Sequence, residues 1–363
     1  MTARVLAGAL CRPGSPTPGW VAWEDGVLVD VQDGAPPPRS LDVGDAVVAP
    51  AFLDLQLNGC EDVDLATADA SGWAAVGRRL AHHGVAAYLA TFVSAPLDAY
   101  DEPLRRLAAA RAACAGDSAC PLGAHLEGPF LGGAPGAHEV DLIRPVDVAW
   151  LRSLVAAHPG LVRMVTLAPE ADPTLRAVSW LAAQGVLVGL GHSTATADQA
   201  RAAAAAGARV VTHVFNGMGP LHHREPGLVG AALDDDRLTP TLIGDLVHVD
   251  PTVARIVFAA SRAVAVVSDA VASAPSQRGQ DAARLADGRL LGATALLDEA
   301  VANLVRVGVP IHRVVAAAST VPADLLDAPD RGRLQVGARA DLVALDADGG
   351  VLRLAVLGGE AVR

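Results

Sequence analysis

The chain has 363 residues, of which 52% are hydrophobic and 3% aromatic, and its formal net charge at pH 7 is −12. This length allows one large domain, a smaller satellite domain and a substantial buried core. The negative charge argues against nucleic acid and an anionic membrane as main partners. The longest apolar runs are broken by Arg, Asp or Gly before the roughly 18 residues that a membrane span needs, so we expect no membrane partner.

The basic residues and the cysteines exclude further classes of chemistry. All 28 basic residues are arginine, which rules out a lysine Schiff base, a P-loop lysine and a carboxylated lysine between two metals. The four cysteines, Cys11, Cys60, Cys114 and Cys120, form no CxxC pair and lack the density of a disulfide-rich protein. We therefore predict a cytoplasmic location.

The two ends of the chain have the same style of sequence. Residues 1–50 contain short alternating strands broken by Pro- and Gly-rich turns, and residues 331–363 repeat this pattern. We predict that 1–50 and 331–363 together form one small β-sandwich domain. The rest of the chain, 51–330, would then be inserted between its two halves.

Residues 51–330 alternate apolar strands with Ala-rich helical segments. One such helix is predicted over 195–207, where Asp198 favours the start and Gly207 ends it. No GxGxxG motif follows the first strand, which argues against a doubly wound dinucleotide-binding sheet. The pattern therefore predicts an α/β fold with a (β/α)8 TIM barrel over 51–330.

Four of the predicted barrel strands stop at a residue that can bind metal or carry a proton. These residues are Glu127, His192, His213 and Asp269. The carboxyl ends of barrel strands meet on one face, which is where active sites of such barrels lie. One carboxylate and two imidazoles can hold a zinc-like ion with an open position, and a further aspartate can act as general base.

Each of these residues also has a structural interpretation. A strand-end histidine is more often hydrogen-bonded than metal-bound, Glu127 could be a turn residue, and Asp269 could cap a helix. The spacing of His192 and His213 fits one strand–helix unit, which favours metal binding. His125 shares a face with Glu127 and could line the site, although packing is the favoured interpretation. The remaining helix-like histidines are expected at the surface: His82, His83, His158 and His312.

Several short segments occur in order along nearly the whole chain. They include HLEGPFL at 125–131, THVFNGM at 212–218, REPGL at 224–228 and VSDA at 267–270. This ordered set resembles the N-acetylglucosamine-6-phosphate deacetylases, a family within the amidohydrolase superfamily. The resemblance implies a metal-dependent TIM barrel with a flanking β-sandwich, in a protein that is usually a dimer.

The resemblance also implies roles for individual residues. Glu127, His192 and His213 would be the metal ligands, and Asp269 the catalytic acid and base. His138 would polarise the acetamide carbonyl of the substrate as a second catalytic residue. Asn216, Gly217, His248 and Arg224 would hold the sugar phosphate, with Arg224 contributed across a dimer interface.

Three departures from the superfamily or family pattern bear on the metal and the sugar. The first barrel strand has Gln56 and Asn58 where many superfamily members have His-x-His, which implies one divalent metal per chain. Zn is the expected ion, with Fe, Co or Mn as alternatives. Gly217 replaces an alanine in the sugar pocket, and the order of residues before His248 is unusual, so the exact sugar stays open.

We therefore predict an enzyme that converts N-acetylglucosamine 6-phosphate into glucosamine 6-phosphate and acetate, with an amino sugar phosphate as its small-molecule partner and a homodimer as its assembly. One alternative is deacetylation of another amine, either N-acetylgalactosamine 6-phosphate or an N-acyl amino acid. Another is a catalytically silent sugar-phosphate binder. Retention of Asp269 beside the ligand set argues against the binder, because binding alone needs no proton carrier.

Overall fold

The computed structural model describes residues 3–12, 14–114, 116–273 and 282–363. The parts of the two predicted domains at 1–2, 13, 115 and 274–281 lie outside the described residues. The strands are β1 (Arg4–Leu10), β2 (Thr17–Glu24), β3 (Val27–Asp33), β4 (Leu41–Pro50), β5 (Phe52–Leu57), β6 (Gly59–Cys60), β7 (Val63–Asp64), β8 (Val85–Phe92), β9 (Cys120–Glu127), β10 (Val162–Leu167), β11 (Leu187–Leu190), β12 (Val210–Val211), β13 (Thr239–Ile243), β14 (Ala265–Val267), β15 (Ala282–Arg284), β16 (Leu290–Ala293), β17 (Leu342–Leu345), β18 (Leu352–Leu357) and β19 (Glu360–Ala361).

One helix follows each of the eight barrel strands in turn, and two further helices follow the last of these. They are α1 (Ala70–His82), α2 (Asp101–Ala112), α3 (Val148–Ala157), α4 (Arg176–Ala183), α5 (Ala197–Ala206), α6 (Gly227–Asp234), α7 (Pro251–Ala260), α8 (Leu297–Arg306), α9 (Ile311–Ala318) and α10 (Thr320–Leu325), with short 3-10 turns at Leu97–Tyr100, Val140–Leu142 and Pro169–Ala171. No helix within the described ranges is both long and apolar enough to cross a membrane.

The central sheet is the predicted barrel. Its eight strands are hydrogen-bonded in the order β5-β8-β9-β10-β11-β12-β13-β14, and neighbours in this order are parallel. A parallel bridge between Leu57 and Ala270 joins the two end strands and closes the barrel. The predicted fold class is therefore confirmed.

A second sheet is assembled from both ends of the chain. It has the order β19-β18-β17-β4-β1-β2-β3, so C-terminal strand β17 pairs directly with N-terminal strand β4. The segment that leads into β17 also pairs with the β3 edge of the sheet: the Leu28 N–H donates to the Ala338 carbonyl (2.8 Å) and the Ala340 N–H donates to the Gly26 carbonyl (2.8 Å). Side chains from both ends of the sheet, such as Trp23 and Val356, share one small core.

Two further cores hold the barrel. One lies inside it and includes Leu53, Leu89, Met164 and Ile243. The larger core lies between the strands and the outer helices and consists mainly of Ala, Val and Leu. Small aliphatic side chains allow the helices to lie close to the strands, which explains a low aromatic content in so large a core.

Helix α5 separates the strands that precede His192 and His213, and its ends are set by local sequence. Thr196 caps the start: its hydroxyl accepts the Gln199 N–H, and the Gln199 side chain accepts the Thr196 N–H. Gly207 ends the helix with φ of 124°, a conformation that L side chains rarely adopt. The predicted helix thus begins and ends close to the predicted positions.

One argument from the sequence lost its support, and one expectation was wrong. Cys114 and Cys120 form a disulfide bond with a Cα–Cα distance of 5.7 Å, so the cysteine pattern gives no support to a cytoplasmic location. His158 is buried rather than exposed, and its Nε2 lies 2.8 Å from Oδ1 of Asp101. The contact joins α2 to the end of α3, and the aspartate satisfies a buried imidazole.

Thr196→Ala should lower the free energy of unfolding by about 1 kcal/mol, because it removes the hydroxyl that accepts an otherwise unpaired N–H at the start of α5. Denaturant unfolding of both proteins measures the difference. Ser153→Ala, in the exposed part of α3, is the matched control and should change stability by less than about 0.5 kcal/mol. Equal effects of the two changes would contradict the capping role.

Candidate metal centre and active site

The strand-end residues singled out in the sequence lie together at the carboxyl end of the barrel. Glu127 is the last residue of β9, and His192, His213 and Asp269 follow shortly after β11, β12 and β14. All four side chains are buried. The potential ligand atoms of Glu127, His192 and His213 lie within 4.8 Å of one another.

A single carboxylate oxygen is the centre of this cluster. Oε1 of Glu127 lies 2.8 Å from Nε2 of His213 and 3.2 Å from Nε2 of His192. The two imidazole nitrogens are themselves 3.1 Å apart. Three potential ligand atoms therefore face one small volume at the carboxyl ends of β9, β11 and β12.

The backbone at the strand ends is strained where it delivers these side chains. His192, His213 and Asp269 have positive φ values of 48°, 33° and 49°. Such left-handed conformations cost roughly 1–3 kcal/mol each for a residue other than glycine, and they persist only where the surroundings impose them. At His213 the neighbouring strand does so, since the His213 N–H donates to the Thr241 hydroxyl (2.6 Å).

The pKa shifts in the cluster show that the buried carboxylate needs a positive charge beside it. Burial raises the pKa of Glu127, but hydrogen bonds from His192 and His213 outweigh burial and hold the pKa of this carboxyl well below its usual range. Burial lowers the pKa of His213, yet its contacts with Glu127 raise that pKa to about 9. The site thus stabilises a carboxylate together with one compensating positive charge.

The donor set fits a divalent metal. Two imidazole nitrogens and one carboxylate oxygen are ligands that zinc accepts, and a cation among them would supply the positive charge that the buried carboxylate needs. Nδ1 of His192 lies 3.3 Å from the Ala134 carbonyl, a contact that leaves Nε2 directed at Glu127. Ligand histidines are commonly fixed in this way.

Asp269 is held beside the cluster by two amide groups. The Gln56 side-chain NH2 donates to Oε1 of Glu127 (3.0 Å) and to Oδ1 of Asp269 (3.1 Å), and the Asn58 NH2 donates to Oδ1 of Asp269 (2.9 Å). Burial, followed by repulsion from Glu127, raises the pKa of Asp269 to about 7. This carboxyl can therefore change its protonation state near neutral pH.

His138 lies against the same cluster. Its ring packs edge-on against that of His192 with centroids 4.4 Å apart, and its Nε2 lies 3.9 Å from Oε2 of Glu127. The Ser94 N–H donates to Nδ1 of His138 (3.4 Å), so in the neutral ring Nε2 carries the proton. Burial, together with the nearby His192, lowers the pKa of His138 to about 3.

The other predicted substrate residues differ in how closely they join the site. The Asn216 side chain donates to the His213 carbonyl (3.3 Å), and a Cβ on Gly217 would lie 2.6 Å from Nδ1 of His192. His248 is buried. Arg224 is exposed, and its side chain makes no hydrogen bond or ion pair within the described part of the chain.

Sequence reasoning missed the residues that hold these side chains in place. Asp245 lies 2.6 Å from Nδ1 of His248 and also accepts the N–H of His248. Glu170 accepts the Ser193 hydroxyl (2.6 Å) and the Thr194 N–H (2.7 Å), which anchors the loop after His192. A carboxylate three positions before a histidine is a signal that could have identified Asp245.

His125 does not belong to the metal cluster. Its Nε2 lies 2.7 Å from the Thr166 hydroxyl, which in turn lies 2.7 Å from the Thr212 hydroxyl. Burial lowers the pKa of His125 to about 4, so the ring is neutral at physiological pH. The favoured interpretation of His125 as a packed, hydrogen-bonded core residue agrees with this environment.

An eight-stranded parallel barrel with this donor set and a neighbouring carboxylate has the architecture of a metal-dependent hydrolase. The sequence model of the amidohydrolase family matches residues 47–362. The chain therefore belongs to the amidohydrolase family. Membership of this family implies a divalent metal.

Individual relatives cover most of the chain. It is similar to the N-acetylgalactosamine-6-phosphate deacetylase of Escherichia coli O157:H7, with 37% identity over 339 residues and 89% of each chain covered. The N-acetylglucosamine-6-phosphate deacetylase of Bos taurus is 35% identical over 349 residues, which cover 88% of this chain and 84% of the relative. A mutant N-acetyl-D-glucosamine-6-phosphate deacetylase from Mycobacterium smegmatis, solved in complex with N-acetyl-D-glucosamine-6-phosphate, matches with a TM-score of 0.90 at 32% identity and 100% coverage of both chains.

The protein should retain about one divalent ion per chain after mild dialysis, because the cluster offers one set of nitrogen and carboxylate ligands while Gln56 and Asn58 offer neutral amides. His213→Asn should remove most of that ion, as measured by elemental analysis. A value near two in the unaltered protein would contradict the single site.

The chain supplies a matched control for this measurement. His83, Asp298 and Glu299 form a second group of potential ligand atoms within the described residues. Nδ1 of His83 already lies 2.7 Å from Oδ1 of Asp298, so a hydrogen bond accounts for that contact without a metal. His83→Asn should leave the metal content unchanged.

Proposed function

We propose that this chain hydrolyses the acetamide of N-acetylglucosamine 6-phosphate, yielding glucosamine 6-phosphate and acetate. The observation that carries the proposal is the position of Asp269, a buried carboxyl that accepts a hydrogen bond from the same Gln56 amide that donates to the metal-ligand candidate Glu127. Relatives that match most of the chain are named as deacetylases of such sugars.

Glu127, His192 and His213 are the proposed ligands of one divalent ion per chain, with zinc as the first choice and Fe, Co or Mn as alternatives. The bound ion supplies Lewis acidity, which activates water and polarises an amide carbonyl. The role of the protein is to hold these three donors in place and to exclude bulk water from the buried site.

Asp269 is the proposed proton carrier. As a carboxylate it removes a proton from the attacking water while a C–O bond forms at the acetamide carbon. It then delivers that proton to the sugar nitrogen as the C–N bond breaks, leaving a free amine and acetic acid, which releases its proton to give acetate. A pKa of about 7 suits both steps, because the protonated and the ionised carboxyl are both populated at neutral pH.

His138 is the proposed donor to the carbonyl oxygen. The Ser94 N–H occupies its Nδ1, and the low pKa of the ring keeps it neutral, so it presents Nε2–H toward the Glu127 side of the site. A fixed donor that meets developing negative charge is typically worth 10²–10³ in rate.

Arg224, His248, Asn216 and the Gly217 backbone are the proposed contacts of the sugar phosphate. Asp245 supports this role for His248, because it fixes one ring nitrogen and leaves the other free for a ligand. Arg224 has no side-chain partner within the described residues, which supports a guanidinium reserved for phosphate or for the active site of a second subunit. We propose a homodimer on this basis.

We also propose a cytoplasmic location. A phosphate monoester is charged and does not pass through the apolar bilayer core, so a phosphorylated substrate stays in the compartment where it is made.

One alternative substrate has specific support. The Escherichia coli relative is named for the galacto-configured sugar phosphate. The resemblance to the N-acetylglucosamine-6-phosphate deacetylases also leaves Gly217 and the 243–248 segment outside that family's usual pattern. Steady-state kinetics with both N-acetylhexosamine 6-phosphates, their unphosphorylated forms and an N-acyl amino acid decide among these substrates. Binding of the sugar phosphates without turnover by the metal-loaded protein would support the silent binder instead.

Asp269→Asn should lower kcat by several orders of magnitude while the metal content stays near that of the unaltered protein. The change removes the proton carrier and none of the proposed ligands. Turnover of the sugar phosphate and elemental analysis on the same preparation measure both quantities. Loss of the metal would make Asp269 a ligand and refute its assignment as the proton carrier.

Arg224→Ala should raise KM for the phosphorylated sugar at least about tenfold and leave KM for the unphosphorylated sugar nearly unchanged, since a charge-assisted contact is lost only with phosphate. Arg237→Ala, an exposed arginine that pairs with Asp235, is the matched control. Equal effects on both substrates would make Arg224 structural. If Arg224 acts across a dimer, mixing this variant with Asp269→Asn should restore part of the activity.

A further inference from the structure

A second buried aspartate lies in the barrel wall, outside the set of ligands and proton carriers. Asp54, in the middle of β5, is only 1% exposed. Its carboxylate accepts the Gln56 N–H (3.1 Å), the Ser268 N–H (3.2 Å) and the Ser268 hydroxyl (2.5 Å). These three donors belong to two residues that contact Asp269 or adjoin it. The Gln56 side chain donates to the Asp269 carboxylate, and Ser268 is the residue before Asp269.

The contact with Gln56 coincides with an irregularity of β5. The pairing of β5 with β8 shifts register between Asp54 and Leu57, which is the stretch that contains Gln56. An aspartate that accepts the N–H two residues later favours a local turn over a regular ladder. The irregular backbone carries the Gln56 amide to Glu127 and Asp269.

The contact with Ser268 fixes the other strand. While the Ser268 hydroxyl donates to Asp54, its oxygen accepts the Ala270 N–H (3.1 Å). The Asp269 N–H between them donates to the Gln56 carbonyl (2.9 Å). The left-handed turn at Asp269 is thereby held on both sides, and the backbone on either side of the proton carrier is tied to β5.

A purely structural role would require only that β5 and β14 be joined, and backbone contacts already do this. The Asn58 N–H donates to the Ala270 carbonyl (2.8 Å), and Leu57 and Ala270 form a bridge. A buried carboxylate is an expensive way to add one more connection, since desolvation opposes its charge. Its partners instead set the direction of two particular side chains.

We propose that Asp54 and Ser268 are positioning residues that align Gln56 and Asp269 for proton transfer. The inference rests on the proposed deacetylase function. Asp54 acts through its hydrogen bonds and touches no substrate. Its removal should therefore reduce the rate of the chemical step while leaving substrate affinity and the metal site largely intact.

The test compares Asp54→Asn, Ser268→Ala and the double variant, each as the full-length, metal-loaded protein. Each single change should lower kcat by roughly 10- to 100-fold, because small errors in the alignment of a reacting group have effects of this size. KM and metal content should stay within about twofold of the unaltered protein, because neither residue contacts a proposed ligand or phosphate group.

The double variant shows whether Asp54 and Ser268 act together on Asp269 or have two independent effects. If Asp54 acts on Asp269 through Ser268, the double variant should lose little more than the more severe single variant, since coupled residues are not additive. Multiplicative losses would overturn the shared role. Ser261→Ala is the matched control: Ser261 is a buried serine whose hydroxyl has no partner among the described residues, and the change should leave kcat unaltered.

Outcomes for the two proposals can be told apart. If the unaltered protein turns over none of the acetylated sugar phosphates, the proposed function fails. If it does turn them over, and the variants keep kcat within about twofold or lose kcat only in proportion to lost metal or folded protein, the positioning role fails. Should Asp54→Asn not fold, Ser268→Ala, which keeps the carboxylate and two of its donors, carries the test alone.

Discussion

The oxygen of Glu127 that faces both His192 and His213 is the contact on which the rest of the site depends. A carboxylate buried this completely is unfavourable unless positive charge lies beside it. The barrel supplies two imidazoles, which follow β11 and β12, the second and third strands beyond β9 in the sheet. Those imidazoles reach the carboxylate only because their backbones take left-handed turns after β11 and β12. The strain at the strand ends is thus a consequence of where the charge must be.

The same carboxylate influences Asp269, the proposed proton carrier. Repulsion from Glu127 adds to burial in raising the pKa of Asp269, while the Gln56 amide donates to both groups and limits that repulsion. An amide is a neutral bridge, so it links the two carboxyls without adding charge. The departure from His-x-His in the first barrel strand is therefore consistent with a site organised around one ion and one titrating aspartate.

The barrel and the four strand-end residues could be predicted because their signals are short and local. Each barrel strand concerned is an apolar run followed by a single residue that can bind metal or carry a proton. The start and end of α5 were predictable for the same reason, from Asp198 in its first turn and Gly207 after it. Asp54 was not predictable, since one acidic residue in FLDLQL carries no sign of which distant strand will supply its donors. The pairing of Cys114 with Cys120 and the burial of His158 depend on tertiary contacts in the same way.

The sheet built from both ends of the chain has a consequence for biosynthesis. Strand β17 lies between β4 and β18, so β4 has an open edge until the last part of the chain has been translated. During that interval its inner residues Val47 and Val48, both buried in the finished protein, are exposed beside unpaired backbone groups. A nascent chain stalled before residue 342 would present an unpaired, aggregation-prone strand edge at β4. Synthesis of the C-terminal strands covers this edge, because β17 then pairs with β4.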